Sequence, residues 1–483
     1  MKLIRATAAF IFLTGLNAAS MVNESSVAIQ LRDELAQYLS GPGLISTDAP
    51  PRWNTLGAPT PGAVVNVQTE LDVAITVKYC TAKGIPFLAQ NGGSGWAIPF
   101  NLTRNGVLIN LGGLNQVTFN ADKTEATIGG GSNISNTIAH AYAAGALVVT
   151  ENCNCVGTLG ALLGGGYGNL VGLYGLGVDN VVSLNVVTAD GRLRNVTATS
   201  DPDLFWSLRG AGPNFGIVTS AVVKSHPATE SDMRAWTGFL IFDTTKLEMV
   251  VQAIQDLQLQ PDMNVFMYFL STGPPTNEPA IVVTPFLYKG NETSGRAAFA
   301  SLYSIDPKTD TTSVLPYTQW NSGADGFCTF RSRKPSYGAG FQRTKPTTWR
   351  QVWNKYVDFQ KKPTAENSIV LLEAYSLIKA RSLDLDSAAF PFRTVNFNVV
   401  AIPWYDERSL DGEAEAFGVA ARDLWRSTDG LAQNSTYVNF AHGDETPEIV
   451  YGRSLPRLQA MKQQFDPHGW FNQWFNILRE QCD

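Results

Sequence analysis

Apolar residues along this chain switch between two periods. Val27, Leu31, Leu35 and Tyr38 recur at helical spacing, which predicts an amphipathic helix over 26–39 that stops before Gly41-Pro42. Residues 64–67 read as a strand. Thr69 then opens a helix that runs to Lys83, with Asp72 completing a capping box and Gly84 as its stop. Residues 86–89 form the next strand and deliver the chain into Asn91-Gly92-Gly93-Ser94-Gly95. Such a β-α-β unit sets a glycine loop at the end of a strand, where ligands bind in α/β sheets. Strands follow at 107–111, 126–129, 181–188 and 217–224, with a helix over 132–144 closed by Gly145.

Past His226-Pro227 the pattern changes. Stretches 233–242, 265–270, 280–288, 368–375 and 396–404 are rich in β-branched and aromatic residues and read as strands, while 245–257, 294–303 and 411–427 read as helices. Strands interleaved with helices fit an α+β layer. Within 368–375, alternation puts Glu373 and Tyr375 on one face, which pattern alone assigns equally to a ligand or to water. The polar stretch 309–347, with its Pro and Gly, reads as a long loop over a pocket.

With 483 residues, 44% hydrophobic and 16% charged, the chain has core enough for two or more domains. The net charge of −6 and the lack of a lysine/arginine block argue against nucleic acid or an anionic membrane as partner. Lys2 and Arg5 precede an apolar run over 6–16 and the small residues Ala18, Ala19 and Ser20, the form of a secretory signal whose cleavage leaves Met21 near the front. No later segment is long and apolar enough to span a bilayer. Sequons at Asn23, Asn101, Asn133, Asn195, Asn291 and Asn434 suit a secreted or secretory-pathway glycoprotein.

Five cysteines, at 80, 153, 155, 328 and 482, leave one special thiol. If a cofactor takes Cys153, the other four allow two disulfides of unreadable connectivity. The four histidines are scattered and Cys153-x-Cys155 has no second pair, so no metal site is expected.

The densest signal is the glycine run after Cys153, with glycines at 157, 160, 164, 165, 166, 168, 172, 175 and 177. Without Cβ atoms, such a run lets backbone N–H groups approach a ligand and form anion-binding concavities. A Rossmann fingerprint is absent, because Gly166-x-Gly168-x-x leads to Val171 and Gly175-x-Gly177-x-x to Asn180. A P-loop is absent too, since the run holds no lysine. A phosphate-bearing planar cofactor held in another way is the expectation.

Cys153-x-x-Val156-Gly157, Gly164-Gly165-Gly166-Tyr167-Gly168, Tyr174-Gly175-Leu176 and Asp179-Asn180-Val181 resemble the flavin-binding core of the berberine-bridge-enzyme-like oxidases, of the vanillyl-alcohol-oxidase type. The resemblance continues through Asp203-Leu204-Phe205-Trp206-Ser207-Leu208-Arg209-Gly210, Asn214-Phe215-Gly216-Ile217-Val218, Pro61-Gly62-Ala63-Val64-Val65, Tyr437-Val438-Asn439-Phe440 and Asp466-Pro467 with Phe471. It implies an α+β, two-domain PCMH-type FAD-binding fold with an antiparallel-sheet substrate domain and a C-terminal element returning to the first domain. The expected divisions are signal 1–20, FAD domain 21–227, substrate domain 228–434 and C-terminal element 435–483. FAD is expected against Asn91, Gly92, Gly93, Ser94 and Gly95, and against Cys153, Gly157, Thr158, Gly160, Gly164, Gly165 and Gly168, with Ile217 nearby.

Two departures stand out. Relatives usually attach FAD through a histidine in Arg-x-Gly-Gly-His and through a cysteine. Here Gln90 and Ser94 fill the arginine and histidine positions, and an unactivated serine alcohol is a poor nucleophile. FAD is therefore non-covalent, or held by a single thioether at Cys153; the other readings of Cys153 are a disulfide or an inert thiol. Many relatives take the substrate proton with a tyrosine where this chain has Phe440, which accepts no proton. His442 is the first candidate base, followed by Tyr375, Glu373 and Tyr437.

The expected function is an FAD-dependent oxidase of a small aromatic or polyketide-like metabolite, with hydride passing to flavin N5 and dioxygen reoxidising the flavin. An acidic or enolised substrate suits an apolar base position. The alternatives are a redox-neutral cyclase or isomerase using bound FAD as a polarising scaffold, and a non-catalytic flavin-binding glycoprotein.

Overall fold

The computed structural model describes residues 25–478 apart from Pro99 and Asp429. The expected signal, its cleavage point, the Asn23 sequon and Cys482 lie outside the described residues.

Local signals set the first elements. Ser25 caps the helix Ser26–Glu34, which gives way to a 3-10 turn at Ala36–Tyr38, so the expected helix ends early. Thr69 and Asp72 form the capping box of the helix Glu70–Lys83, and Gly84 closes it at φ +68°. That helix connects Ala63–Asn66 to Phe87–Gln90; both run parallel to Val107–Asn110 in a four-stranded sheet whose remaining strand is Ile45–Ser46. A six-stranded sheet follows, with Val117–Phe119, Glu125–Gly129, Ile217–Pro227, Val181–Val187 and Leu193–Thr197 in that order, and Ala146–Val148 against the far end of Ile217–Pro227.

The second half is built on a nine-stranded sheet whose pairings are all antiparallel. The expected strand at 233–242 is two, Arg234–Thr237 and Leu240–Phe242, broken where Gly238 takes φ +153°. The expected loop at 309–347 instead carries the strands Thr309–Asp310, Ser313–Pro316 and Tyr337–Phe341. Gly338 and Gly340 hide the last of these from a propensity reading, yet it is buried and pairs with Phe397–Ile402. The helix Pro346–Gln360 was also not legible. With Leu247–Asp256 and Asp411–Arg426 it covers one face of the sheet, burying Trp349, Trp353, Tyr356, Phe417 and Trp425 against Val370, Leu372 and Val399.

The other face of this sheet looks toward the first half. Arg393 and Asp179, one from each half, form a buried bidentate pair at 2.7 and 2.6 Å. The C-terminal helix Leu455–Phe465 packs back on the first half: Lys462 Nζ donates to the Asn214 carbonyl, the Phe471 carbonyl and Asp466 Oδ2. The motif residues Asn214 and Asp466 thus share one buried lysine.

Candidate active site

A cavity of about 340 Å³ lies between the glycine loops and the open face of the nine-stranded sheet. Its floor comes from residues 88–96 and 151–164, its roof from the sheet, and one wall from Tyr437, Val438, Asn439 and Phe440.

The two glycine loops touch. A Cβ at Gly92 would lie 2.9 Å from the Gly157 nitrogen and 3.0 Å from the Cys155 carbonyl, so the contact needs a bare backbone there. Gly93 holds φ +65°, and its Cβ would meet the Pro51 carbonyl at 2.8 Å. The N–H groups of Gly92, Gly93, Ser94 and Gly95 donate to no partner among the described residues. Ser94 Oγ is likewise buried without one. Unused donors on a cavity wall match a phosphate-bearing guest.

Alternation builds the roof. The strand Ile369–Tyr375 sends Ile369, Leu371, Glu373 and Tyr375 to the cavity and Val370, Leu372 and Ala374 to the core beneath the helices. The Tyr268 and Ile402 side chains line the same roof from the neighbouring strands. Phe327, Phe440 and Trp96 make the rest of that end aromatic, with Phe440 and Trp96 at 5.9 Å.

Glu151 is the residue that sequence reasoning missed. It sits two positions before Cys153 and lines the cavity. Tyr437 donates to its Oε1 at 2.5 Å and Asn439 Nδ2 donates at 3.1 Å. The Tyr437 oxygen in turn accepts from Gly166 N–H at 3.2 Å and from Asn439 at 2.8 Å. Tyr437 therefore has its proton on Glu151 and its oxygen occupied. Burial, with the Glu151 charge beside it, holds the phenol well above its ordinary range, so Tyr437 serves as a donor. Burial pushes Glu151 itself up to about 7, against the lowering effect of the Tyr437 and Asn439 bonds.

Glu373 is pushed up to about 8, first by burial and then by the Glu151 charge; the Tyr375 hydroxyl acts in the opposite direction. Its exposed part faces the cavity. Tyr375 accepts from Asn152 Nδ2 at 2.9 Å and is held well above the usual phenol range by burial and by Glu373. The cavity thus holds two carboxyl groups that titrate near neutral pH, a recurrent mark of proton-transfer sites.

Cys153 lines the cavity as a free thiol, with its Sγ 3.7 Å from Cys155 Sγ. Cys155 is bonded to Cys328, and this disulfide ties the Ala324- and Phe327-bearing segment to the glycine loop. Of the two disulfides that cysteine counting allowed, this one is present; Cys80 is a buried thiol without a sulfur partner among the described residues. Burial, and behind it the carboxylates of Glu151, Asp325 and Glu373, push the Cys153 thiol up to about 11, which opposes the thiolate a thioether requires.

Several expected residues stand elsewhere. His442 does not line the cavity. Its Nδ1 pairs with the Ser336 carbonyl at 2.9 Å, its ring stacks on Tyr337 at 4.2 Å, and burial lowers its pKa. Chain position beside Phe440 misled here, because the backbone turns away after the 3-10 turn Val438–Phe440. Thr158 is buried, with its hydroxyl 2.9 Å from that of Thr137. Gly165 fits between the Phe390 and Tyr437 rings, and Gly168 lies against the Thr150 carbonyl. Ile217 is in the core with Val187. None of these four lines the cavity, whereas Asn91, Gly92, Gly93, Ser94, Gly95, Cys153, Gly157, Gly160, Gly164, Glu373, Tyr375 and Tyr437 do.

Paired glycine loops with unused donors, roofed by a sheet that carries carboxyl groups, fit a flavin-dependent oxidoreductase of the two-domain PCMH type. The FAD binding domain family matches residues 61–197 and the "Berberine and berberine like" family matches residues 436–477. An FAD-linked oxidoreductase of Pyricularia oryzae is 33% identical over 87% of this chain and 84% of its own length. Another, from Aspergillus niger, is 30% identical over 93% and 98%. The fold is shared with a xylooligosaccharide oxidase from Myceliophthora thermophila, solved with xylobiose, at TM-score 0.75 and 20% identity over 89% of this chain and 94% of that one. It is shared also with 6-hydroxy-D-nicotine oxidase from Arthrobacter nicotinovorans, at TM-score 0.72 and 21% identity over 88% and 94%. The chain belongs to the berberine-bridge-enzyme-like FAD-linked oxidoreductases, and its cofactor is FAD.

Proposed function

We propose that this protein oxidises a small, planar, weakly acidic metabolite of phenolic or enolic type that carries an oxidisable C–H bond, Glu373 taking the O–H proton while the C–H hydride is lost and a carbonyl or quinone methide is left. Bound FAD supplies the hydride acceptor, at flavin N5, and is reoxidised by dioxygen. The observation that carries the reading is that Glu373 and Glu151 line one cavity together with a cluster of aromatic rings.

The division of labour follows from the hydrogen bonds. Glu151 already accepts from Tyr437 and Asn439 and is held in place by them. Glu373 faces the cavity with Tyr375 beside it and is free to meet a substrate hydroxyl. A carboxyl poised near working pH is suited to general-base work. The aromatic end made by Trp96, Tyr268, Phe327 and Phe440 favours a flat apolar ring over a sugar, which needs more hydrogen-bond partners. The Cys155–Cys328 bond supports passage through an oxidising compartment, in keeping with removal of residues 1–20 and secretion.

The test is an anaerobic screen of phenols, naphthols and enolic aromatics beside xylobiose, read as bleaching of the flavin, then peroxide release on adding oxygen. Bleaching by an aromatic and not by xylobiose is expected. Bleaching by xylobiose alone sinks the substrate reading, and conversion of an aromatic without bleaching or oxygen uptake favours redox-neutral catalysis by the two carboxyl groups.

A further inference from the structure

Arg52 stands apart from the acids of the cavity. It is the one basic residue among the described residues that line it. Its Nη1 donates to Gln90 Oε1 at 3.0 Å and its Nη2 to the Gly95 carbonyl at 2.5 Å, so the guanidinium ties together the two ends of the 90–95 loop. Its Cζ lies 4.5 Å from the centre of the Phe100 ring, which covers one face. Both acceptors are neutral. No carboxylate among the described residues pairs with Arg52, and burial lowers its pKa to about 10. Arg52 lines the cavity beside Gln90, Gly95 and Phe100, whereas Glu151 lines it beside Tyr437 and Asn439. Arg52 is half-buried, and a guanidinium drawn out of water without a counter-ion is costly unless an anion completes it.

The loop that Arg52 braces is the one whose N–H groups, from Gly92 to Gly95, have no acceptor among the described residues. Four unused backbone donors and one uncompensated cation therefore converge on one stretch of cavity wall. FAD has one strongly anionic group, its diphosphate. We infer that Arg52 is the counter-ion of the cofactor's diphosphate, acting with the N–H groups of the 92–95 loop. Arg52 is then the determinant that selects the dinucleotide over riboflavin. This inference rests on FAD being the cofactor and not on the substrate reading above.

The test compares FAD and riboflavin binding to flavin-free protein by fluorescence quenching, for the parent, Arg52→Gln and Arg52→Lys. A charge-assisted contact of this kind is worth about a 10- to 100-fold change in affinity. Arg52→Gln is expected to weaken FAD binding by about that factor and to leave riboflavin binding within about twofold, while Arg52→Lys keeps most of the FAD affinity. FAD affinity of the parent should fall with added sodium chloride more steeply than that of Arg52→Gln. If Arg52→Gln weakens FAD and riboflavin equally, or Arg52→Lys fails as fully as Arg52→Gln, the residue is a loop brace and the inference is wrong. Unchanged FAD affinity in Arg52→Gln also overturns it.

Discussion

The Tyr437 hydroxyl donates to Glu151 Oε1 at 2.5 Å, joining residues 286 positions apart in the chain. This pair places a carboxyl group on the cavity wall and fixes its orientation, while Phe440, three positions further along the chain, offers no proton acceptor. On the proposed reading, proton chemistry falls to the carboxyl groups.

With a substrate found by bleaching, the rate of flavin reduction in the parent should rise with pH through about 8, where Glu373 ionises. Glu373→Gln should slow it by about 10²–10⁴-fold. Glu151→Gln removes the charge that raises Glu373 and should move the midpoint to lower pH. Stopped-flow reduction across pH measures all three. A pH-independent rate in the parent counts against Glu373 as base.

His442→Ala should leave the reduction rate, normalised to bound FAD, within a few-fold of the parent. The ring stacks on Tyr337 and bonds to Ser336 away from the cavity, so its loss should cost about 1–3 kcal/mol of stability. Denaturant unfolding and rapid-mixing kinetics together check this. A large rate loss at full flavin content restores His442 as base.

Acid precipitation of protein made at neutral pH should leave most of the flavin in the supernatant. The Cys153 thiol is held up to about 11, so thiolate is scarce at that pH. Incubation at alkaline pH should raise the bound fraction, and Cys153→Ser should abolish that increase. Yellow colour retained on the chain at neutral pH, mapping to the Cys153 peptide, contradicts it.

Flavin-free Glu373→Gln should become more stable relative to the parent as pH rises. The folded-state pKa of Glu373 is raised to about 8, so between the usual carboxylate range and about 8 the native parent holds a proton that the unfolded chain has lost. Stability from this group therefore falls as pH rises through that window, and the glutamine variant escapes the fall. Melting temperatures of the pair from pH 5 to pH 8 test it; a constant difference would falsify the assignment.

What the sequence by itself determined follows from short-range rules. Thr69 with Asp72, Gly84 and Gly145 set helix ends through contacts within a few residues. Period-two alternation placed Glu373 and Tyr375 on one face, and the glycines of both loops announced a backbone that approaches a ligand. The motifs carried the family and the cofactor. Tertiary structure alone decided which groups meet. The Cys155–Cys328 bond spans 173 positions, and its neighbour Cys153 was left free. Glu151 met Tyr437 and Asn439 only once the C-terminal element had folded back on the glycine run, whereas His442, two residues past Phe440, was turned onto Tyr337. The strand Tyr337–Phe341 was hidden because its glycines lack β propensity and pairing with Phe397–Ile402 supplies what propensity does not. The physical reason is common to these cases: caps and alternation are local, but charge, burial and pairing partners belong to neighbours that are near in space and remote in the chain.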